Sequence, residues 1–326
     1  TWSYSLEFDN WYRIQLEDAP PARGRHVSAF DMSRKRMVMF GGRFRPAEQI
    51  SGVYTLYNDL WVFDVNEDRW YKVAQKGDIP SARTNSAMVY DPFHDRMILF
   101  GGNASNDGLR FTPLADTYTL DLETMTWARV ESGLRPGPRL FHAMTVDTKR
   151  EQVILFSGGD EGAFLGDFYA DVWALDLATL QWSLLWESTG GGGLLPEPLG
   201  RISAGLLYDT EHDRVLLFGG HDDGALGNTN DLWSFDLNNL VWEVKREGDV
   251  YTGAGCPDFC SCAEDFVAYD YESPERRQYP TFIELYGRDQ ALLFSGTGDC
   301  GYMDDTWWLD LDALTDDLIA AGYTRV

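Results

Sequence analysis

Short apolar runs, each closed by small residues, recur along the chain, and polar glycine-bearing loops separate them. Four-residue runs ending in Phe occur at Met37-Val38-Met39-Phe40, Met97-Ile98-Leu99-Phe100, Val153-Ile154-Leu155-Phe156, Val215-Leu216-Leu217-Phe218 and Ala291-Leu292-Leu293-Phe294. Successive Phe residues lie 60, 56, 62 and 76 positions apart. Each is followed by two small residues: Gly41-Gly42, Gly101-Gly102, Ser157-Gly158, Gly219-Gly220 and Ser295-Gly296. The second is Gly every time, which predicts a backbone conformation or a close approach that a Cβ forbids.

A second pattern follows each polar loop: Asp59–Asp64, Asp116–Asp121, Asp171–Asp176, Asp231–Asp236 and Asp305–Asp310, each an Asp-bounded apolar strand with an aromatic third residue. Six positions past the closing Asp stands a Trp in four copies, Trp70, Trp127, Trp182 and Trp242. A further strand-like piece, such as Ser86–Tyr90 or Ala204–Tyr208, precedes each apolar run. Each unit therefore reads as four short strands, here a, b, c and d, with no convincing helix. Four-stranded units repeated in this way fit blades of a β-propeller, an all-β architecture that leaves only short, protected sheet edges. The apolar strand, paired small residues, aromatic and offset Trp resemble the kelch repeat over nearly the whole chain. These units are longer than the usual kelch length of about 50 residues because their loops are extended.

The pattern predicts a single domain over residues 1–326 with five blades, six being the alternative count, and a cysteine-containing insertion at about 246–280. Position 316, where the fifth Trp belongs, is Asp, whereas Trp11-Tyr12-Arg13-Ile14 looks like a strand d without a unit of its own. The N-terminal strand is thus expected to complete the last blade, and 315–322 to form a short helix. Recurrent Trp, Tyr and Phe are read as packing between blades. The Asp entering each strand c is read as a turn cap. His94 and His212 fall in matching a–b turns as solvated residues, and Gly190–Gly193 is a connector without the Lys-Ser/Thr ending of a phosphate loop.

Composition narrows the partners. Fifty-two acidic against 27 basic residues leave a net charge of −25, which repels phosphate backbones and anionic membrane surfaces. No apolar stretch is long enough for a membrane-spanning helix. The opening Thr1-Trp2-Ser3-Tyr4 is not a basic-then-apolar leader, so any targeting peptide is expected to have been removed or to lie outside this sequence.

In a propeller the d–a and b–c loops share a face. Strand a begins beside Arg23, Arg83, Arg139 and Arg201, which could ring a channel mouth and grip carboxylates, as similar arginines do in some kelch domains. Pairing with loop Asp residues or carbonyls to hold blades together is the competing reading. The fifth unit shows no equivalent Arg in this reading. His26 and His142 follow three residues after Arg23 and Arg139, but two non-adjacent histidines are not a metal cluster. The b–c loops shorten from 16 residues (43–58) to 8 (297–304). The first carries Arg43, Arg45, Tyr54 and Tyr57, and the fourth opens on His221. Asp160, Glu161, Asp222 and Asp223 are candidate Ca²⁺ ligands without an EF-type spacing.

Cys256, Cys260, Cys262 and Cys300 are expected on one face of one blade. Disulfides compete with a four-thiolate metal site, and the spacing departs from paired Cys-x2-Cys knuckles, which favours disulfides and an extracellular, cell-surface or periplasmic location. No spacing marks a nucleophile elbow or a metalloprotease helix. The expectation is a non-catalytic recognition propeller that binds a protein or glycan through its looped face, with no cofactor. Further domains of a longer chain are compatible with it. The alternatives are a structural domain of a larger surface protein, or a secreted carbohydrate-active enzyme with its site at the channel mouth. The kelch resemblance admits that enzyme class through copper radical oxidases and sialic-acid mutarotases.

Overall fold

The structure, a computed structural model, describes residues 1–16, 18–49, 53–162, 168–190, 193, 195–222, 227–248, 273–285, 287–298, 301–315 and 323–325. It is an all-β, kelch-type propeller of five blades. Blade 1 pairs Val27–Asp31, Arg36–Phe40, Leu60–Asp64 and Arg69–Val73 in that order, every neighbour antiparallel. Blade 2 pairs Ala87–Asp91, Arg96–Asn103, Pro113–Asp121 and Thr126–Val130, and blade 3 pairs Ala143–Asp147, Gln152–Phe156, Val172–Asp176 and Trp182–Trp186. Blade 4 pairs Gly205–Asp209, Arg214–Asp222, Gly227–Asp236 and Val241–Arg246. Blade 5 pairs Thr281–Leu285, Gln290–Gly298, Gly301–Asp310 and Tyr323–Arg325.

The chain divides into two compact units, Thr1–Leu140 with Leu177–Gln181, and Phe141–Asp176 with Trp182–Val326. In the first, the a strands of blades 1 and 2 lie side by side. Between these blades Val38, Phe40, Leu60 and Val62 pack against Met97, Leu99, Leu120 and Trp127. The other face of the blade 1 sheet buries Met39, Phe63 and Trp70 under Ile14 and Leu16. A strand b buried on both faces needs an unbroken apolar run instead of alternation, which is why Met97–Phe100 carries four apolar residues with no solvent contact. Strand d alternates buried Trp with exposed neighbours, as an outer strand should.

In the second unit, blades 3, 4 and 5 follow the same plan. Ile154, Phe156 and Val172 pack against Leu217, Phe235 and Trp242, and Phe218 and Leu232 against Phe282, Leu293 and Trp307. The offset Trp bridges neighbouring sheets: Trp127 of blade 2 meets Phe40 of blade 1 at 5.1 Å between ring centres, and Trp242 of blade 4 meets Phe156 of blade 3 at 5.0 Å. Each such tilted pair adds about 0.5–1.5 kcal/mol beyond its buried area.

The paired small residues behave as their chemistry predicts. The first lies near φ 60–70° and tolerates Ser, as Ser157 (φ 70°) and Ser295 (φ 60°) show. The second lies at φ 99° to 130°, from Gly42 to Gly296, which excludes a side chain. At Gly102 a Cβ would stand 2.7 Å from the carbonyl oxygen of Thr84.

Two expectations are corrected. The N-terminal strand does not complete the last blade: Tyr323–Arg325 pairs with Trp307–Leu309 of strand c instead. Asn10–Arg13 forms a local hairpin with Trp2–Ser5, and Thr1 Oγ accepts the Trp70 indole N–H at 2.8 Å. A hairpin with a four-residue connection closes at little entropic cost, so a strand-like segment finds its near neighbour first. The expected helix at 315–322 falls almost wholly outside the described residues; a 3₁₀ turn spans Asp312–Thr315.

A second repeated device holds the a–b turns. Asp31, Asp91, Asp147 and Asp209 are fully buried at the ends of strands a. Each caps the backbone N–H groups of its turn and accepts a side chain five residues on, from Arg36, Arg96, Gln152 and Arg214, all at 2.8 Å. Arg36 then reaches the Leu122 carbonyl of blade 2, and Arg214 the Leu311 carbonyl of blade 5. Arg150 of blade 3 clamps Asp213 of blade 4 through both terminal nitrogens, at 2.7 and 3.0 Å. These bonds, against a smaller opposing desolvation, hold the Asp213 carboxyl well below the usual range. A depressed carboxyl stabilises the fold above its unfolded value of about 4 and loses that contribution as pH falls. Asp213→Asn should therefore melt below the parent at pH 7, with the gap narrowing between about pH 4 and 2. Thermal unfolding across this range checks it, and a pH-independent gap would refute the linkage.

Candidate functional site

Five equivalent arginines begin the blades, and they are structural hubs. Arg201 shows the pattern. Its Nε donates to the Leu199 carbonyl at 3.1 Å, Nη1 to the Gly219 carbonyl at 3.0 Å, and Nη1 and Nη2 grip the two oxygens of Asp231 at 2.7 and 2.9 Å. Asp231 also accepts the Trp233 indole N–H at 2.6 Å. Arg23 repeats this with Pro21, Gly41, Asp59 and Trp61. Arg83 repeats it with Ser81, Gly101 and Asp116, and Tyr118 replaces the Trp, its ring 5.4 Å from the guanidinium. Arg139 is fully buried, with Nε on the Gly137 carbonyl. Burial alone would raise Asp59 and Asp231, but the Arg23 and Arg201 guanidiniums and the two indoles outweigh it and hold both carboxyls low.

The fifth blade does have this arginine. Arg277 donates to the carbonyls of Glu275 and Ser295 and to both oxygens of Asp305, at 2.5 and 2.7 Å. The signal was present in Pro274-Glu275-Arg276-Arg277, because Pro20, Pro80, Pro136 and Pro198 also stand three residues before their arginines. The long insertion hid it. Asp59, Asp116, Asp231 and Asp305 are thus anions for their blade's own Arg, not turn caps.

Two residues past each hub lies a feature that sequence reasoning missed. Arg25, Asn85, Phe141, Ser203 and Tyr279 all occupy left-handed backbone, φ 57° to 61°. In the first unit Asn85 N–H donates to the Arg25 carbonyl at 3.1 Å. In the second, Ser203 N–H donates to Phe141 and Tyr279 N–H to Ser203, both at 2.8 Å. Blade is joined to blade here through strained backbone, while the side chains are left to vary. Phe141 and Tyr279 meet edge to face at 5.8 Å, and the Ser203 hydroxyl between them is buried with no hydrogen-bond partner among the described residues.

In the first unit the b–c loop of blade 1 folds back as a short hairpin, Arg43–Phe44 against Thr55–Leu56. Tyr54 is flanked by the Arg43 and Arg45 guanidiniums at 3.8 and 4.3 Å from its ring centre, and its N–H donates to Asn106 of the blade 2 loop at 2.8 Å. Gly108 completes the support: a Cβ there would press on the ring at 3.2 Å. Desolvation, with the Arg23 charge beside it, lowers the His26 imidazole, although its side chain still reaches solvent. His142 is buried in the second unit.

His221 and Asp222 continue strand b of blade 4 opposite Asn228 and Gly227. Both are buried, and burial raises the Asp222 carboxyl against the pull of Arg201. Asp160 caps its own turn at Gly162. Asp160, Glu161 and Asp222 do not converge: among the described residues no three Asp, Glu, His or Cys side chains form a cation site. His94 and His212 bond the turn residues Asp91 and Asp209. Asp223 and all four cysteines, Cys256, Cys260, Cys262 and Cys300, lie outside the described residues.

A family model described as the KLHDC2/KLHL20/DRC7 Kelch-repeats domain matches residues 1–183 and again 53–243. The chain belongs to this kelch-repeat family. Similar proteins include human Host cell factor 2, 26% identical over 250 residues that cover 72% of this chain and 28% of the relative. Acyl-CoA-binding domain-containing protein 5 of Arabidopsis thaliana is 26% identical over 271 residues, 83% of this chain and 37% of the relative. Host cell factor homolog hcf-1 of Caenorhabditis elegans is 24% identical over 255 residues, 74% and 30%. The kelch chain spans about a third of the length of these curated relatives. In this kelch propeller the hubs should behave as buried pairs. Arg277→Met strands the Asp305 carboxylate and should lower urea-unfolding stability by about 3–5 kcal/mol, with partial recovery in the Arg277→Met, Asp305→Asn double variant. A single-variant loss under about 1 kcal/mol would refute the structural role.

Proposed function

We propose that this kelch propeller is a non-catalytic protein-interaction module that holds an extended, acidic partner segment on its loop face. One observation carries the reading: at five equivalent positions the backbone is the same, yet the side chains are Arg25, Asn85, Phe141, Ser203 and Tyr279. Architecture repeats in the Arg–Asp hubs, and chemistry varies two residues later, where Arg25 and Tyr279 reach solvent while Asn85, Phe141 and Ser203 are buried. In the first unit Arg25 and the Arg43–Tyr54–Arg45 stack supply cations and an aromatic plate, a combination suited to carboxylate-bearing peptides. The buried hubs Arg23, Arg83, Arg139 and Arg201 stabilise this surface from beneath. The kelch propeller fold and the similarity to host cell factors support a protein-binding role. Peptides selected from a random display library should be rich in Asp and Glu. The Arg45→Ala, Tyr54→Ala variant, with its melting temperature unchanged, should bind them about tenfold or more weaker. Neutral selected peptides, or binding indifferent to this variant, would discard the proposal.

The extracellular, cell-surface or periplasmic location belongs to the same proposal through Cys256, Cys260, Cys262 and Cys300. Bridges among them would stabilise the insertion by about 2–4 kcal/mol each. Thiol titration of the unreduced, denatured protein should find no reactive thiol, and four reactive thiols would remove both the bridges and that location.

A further inference from the structure

The outer edge of blade 2 carries a fifth strand. Lys76–Gly77 runs parallel to Thr126–Trp127 of strand d. Lys76 N–H donates to the Met125 carbonyl at 3.0 Å, and Asp78 N–H to the Trp127 carbonyl at 2.9 Å. The Gln75 carboxamide oxygen accepts the Trp127 indole N–H at 2.7 Å. Gly77 is required there, with φ 74° and the Trp127 carbonyl oxygen 2.1 Å from any Cβ. A buried donor is thereby satisfied by a segment that also covers the sheet edge.

Blade 4 offers the same template without the segment. Leu240 shares the φ of 55° found at Met125, and Trp242, only 5% exposed, stacks on Phe156 as Trp127 does on Phe40. Among the described residues no added strand lies on Val241–Arg246, and the Trp242 indole N–H has no hydrogen-bond partner. Beside it opens a cavity of about 290 Å³ lined by Trp186, Leu195, Pro196, Leu240, Val241 and Trp242. The described residues of the connection bordering this cavity form no strand on that edge. Pro196 has no N–H to donate, and both oxygens of Glu197 are bonded to the Ser188 hydroxyl and the Thr189 N–H of the same connection.

We infer that the blade 4 edge is a second binding site, which takes an extended peptide segment of a partner protein as a parallel fifth strand. The segment carries a Gln or Asn whose carboxamide oxygen accepts the Trp242 N–H, and an apolar neighbour that enters the cavity. Blade 2 is the intramolecular example of the bound state. The indole nitrogen is screened from solvent, so the acceptor reaches it by parting the cavity wall. The site is independent of the loop face.

The probe is a synthetic peptide with the chain's own sequence from Val73 to Ile79, titrated into the full chain carrying ¹⁵N-labelled indoles. The Trp242 indole resonance, assigned by its loss in Trp242→Phe, should shift saturably, while the loop-face variant Arg45→Ala, Tyr54→Ala responds as the parent does. The peptide with Gln75→Leu, similar in shape but without the acceptor, should bind at least about fivefold more weakly. Leu195→Trp, which fills the cavity mouth from an exposed position, should abolish the shift without changing the melting temperature, and it serves if Trp242→Phe fails to fold. An unmoved Trp242 resonance, a shift confined to Trp127 through strand exchange at blade 2, or equal binding by the Gln75→Leu peptide would overturn the inference.

Discussion

A buried guanidinium held by one carboxylate is the constraint on which blades 1, 2, 4 and 5 are built. A charge taken out of water is tolerable only when its partner is fixed and its remaining donors are satisfied. Arg201 meets this condition by ordering three separate stretches of chain: the d–a loop at Leu199, strand b at Gly219 and strand c at Asp231. Its own carbonyl then accepts the Gly158 N–H of the preceding blade at 3.0 Å, as the Arg277 carbonyl accepts that of Gly220. Lysine could not substitute, since a single ammonium cannot make a fork to a carboxylate while also reaching two carbonyls. Gly42, Gly102, Gly158 and Gly220 are a consequence: the chain must present an N–H to the next hub at a φ that only Gly adopts.

Rigidity at the hub allows variation close by. Arg25, Asn85, Phe141, Ser203 and Tyr279 sit in left-handed backbone, which costs non-glycine residues roughly 1 kcal/mol or more each. Such strain persists only where the surroundings over-determine the conformation. Here the hub lies two residues before each of them, and the N–H or the carbonyl of each, both for Ser203, is bonded to the equivalent residue of a neighbouring blade. The backbone at this position is therefore held whichever side chain it carries: Arg25 and Tyr279 reach solvent, while Asn85, Phe141 and Ser203 are buried.

Most of the fold was legible because a propeller writes its core as period. The apolar runs, the Gly after each and the offset Trp are read directly from the chain, and each has its place: Phe40 under Trp127, Phe156 under Trp242, Gly102 against the Thr84 carbonyl. The site was less legible. An exposed arginine in a ligand ring and a buried one in a hub look alike in sequence, and burial separates them only once Asp116 or Asp231 is seen in place. Arg277 escaped notice because the insertion before it breaks the period, although its Pro274 kept the motif. The closing strand was misplaced for a different reason. Trp11-Tyr12-Arg13 is the stronger strand by propensity, but register in blade 5 is decided by pairing with Trp307–Leu309, which the short Tyr323–Arg325 supplies from the same unit.

The charge of the molecule takes its meaning from these pairs. Arg23, Arg34, Arg36, Arg83, Arg96, Arg150, Arg201, Arg214 and Arg277 are each paired with a carboxylate. Nine of the 27 basic residues are thus neutralised locally, and the excess of 25 negative charges falls on a surface with fewer cations than composition suggests. Long-range repulsion of anionic polymers follows, and it weakens over about 8–10 Å at physiological salt. Within that distance local chemistry governs. The Arg43 and Arg45 guanidiniums stack on Tyr54, Arg43 being buried there, so the charge beside this ring is fixed in geometry. Charges fixed in this way act by contact more than by steering.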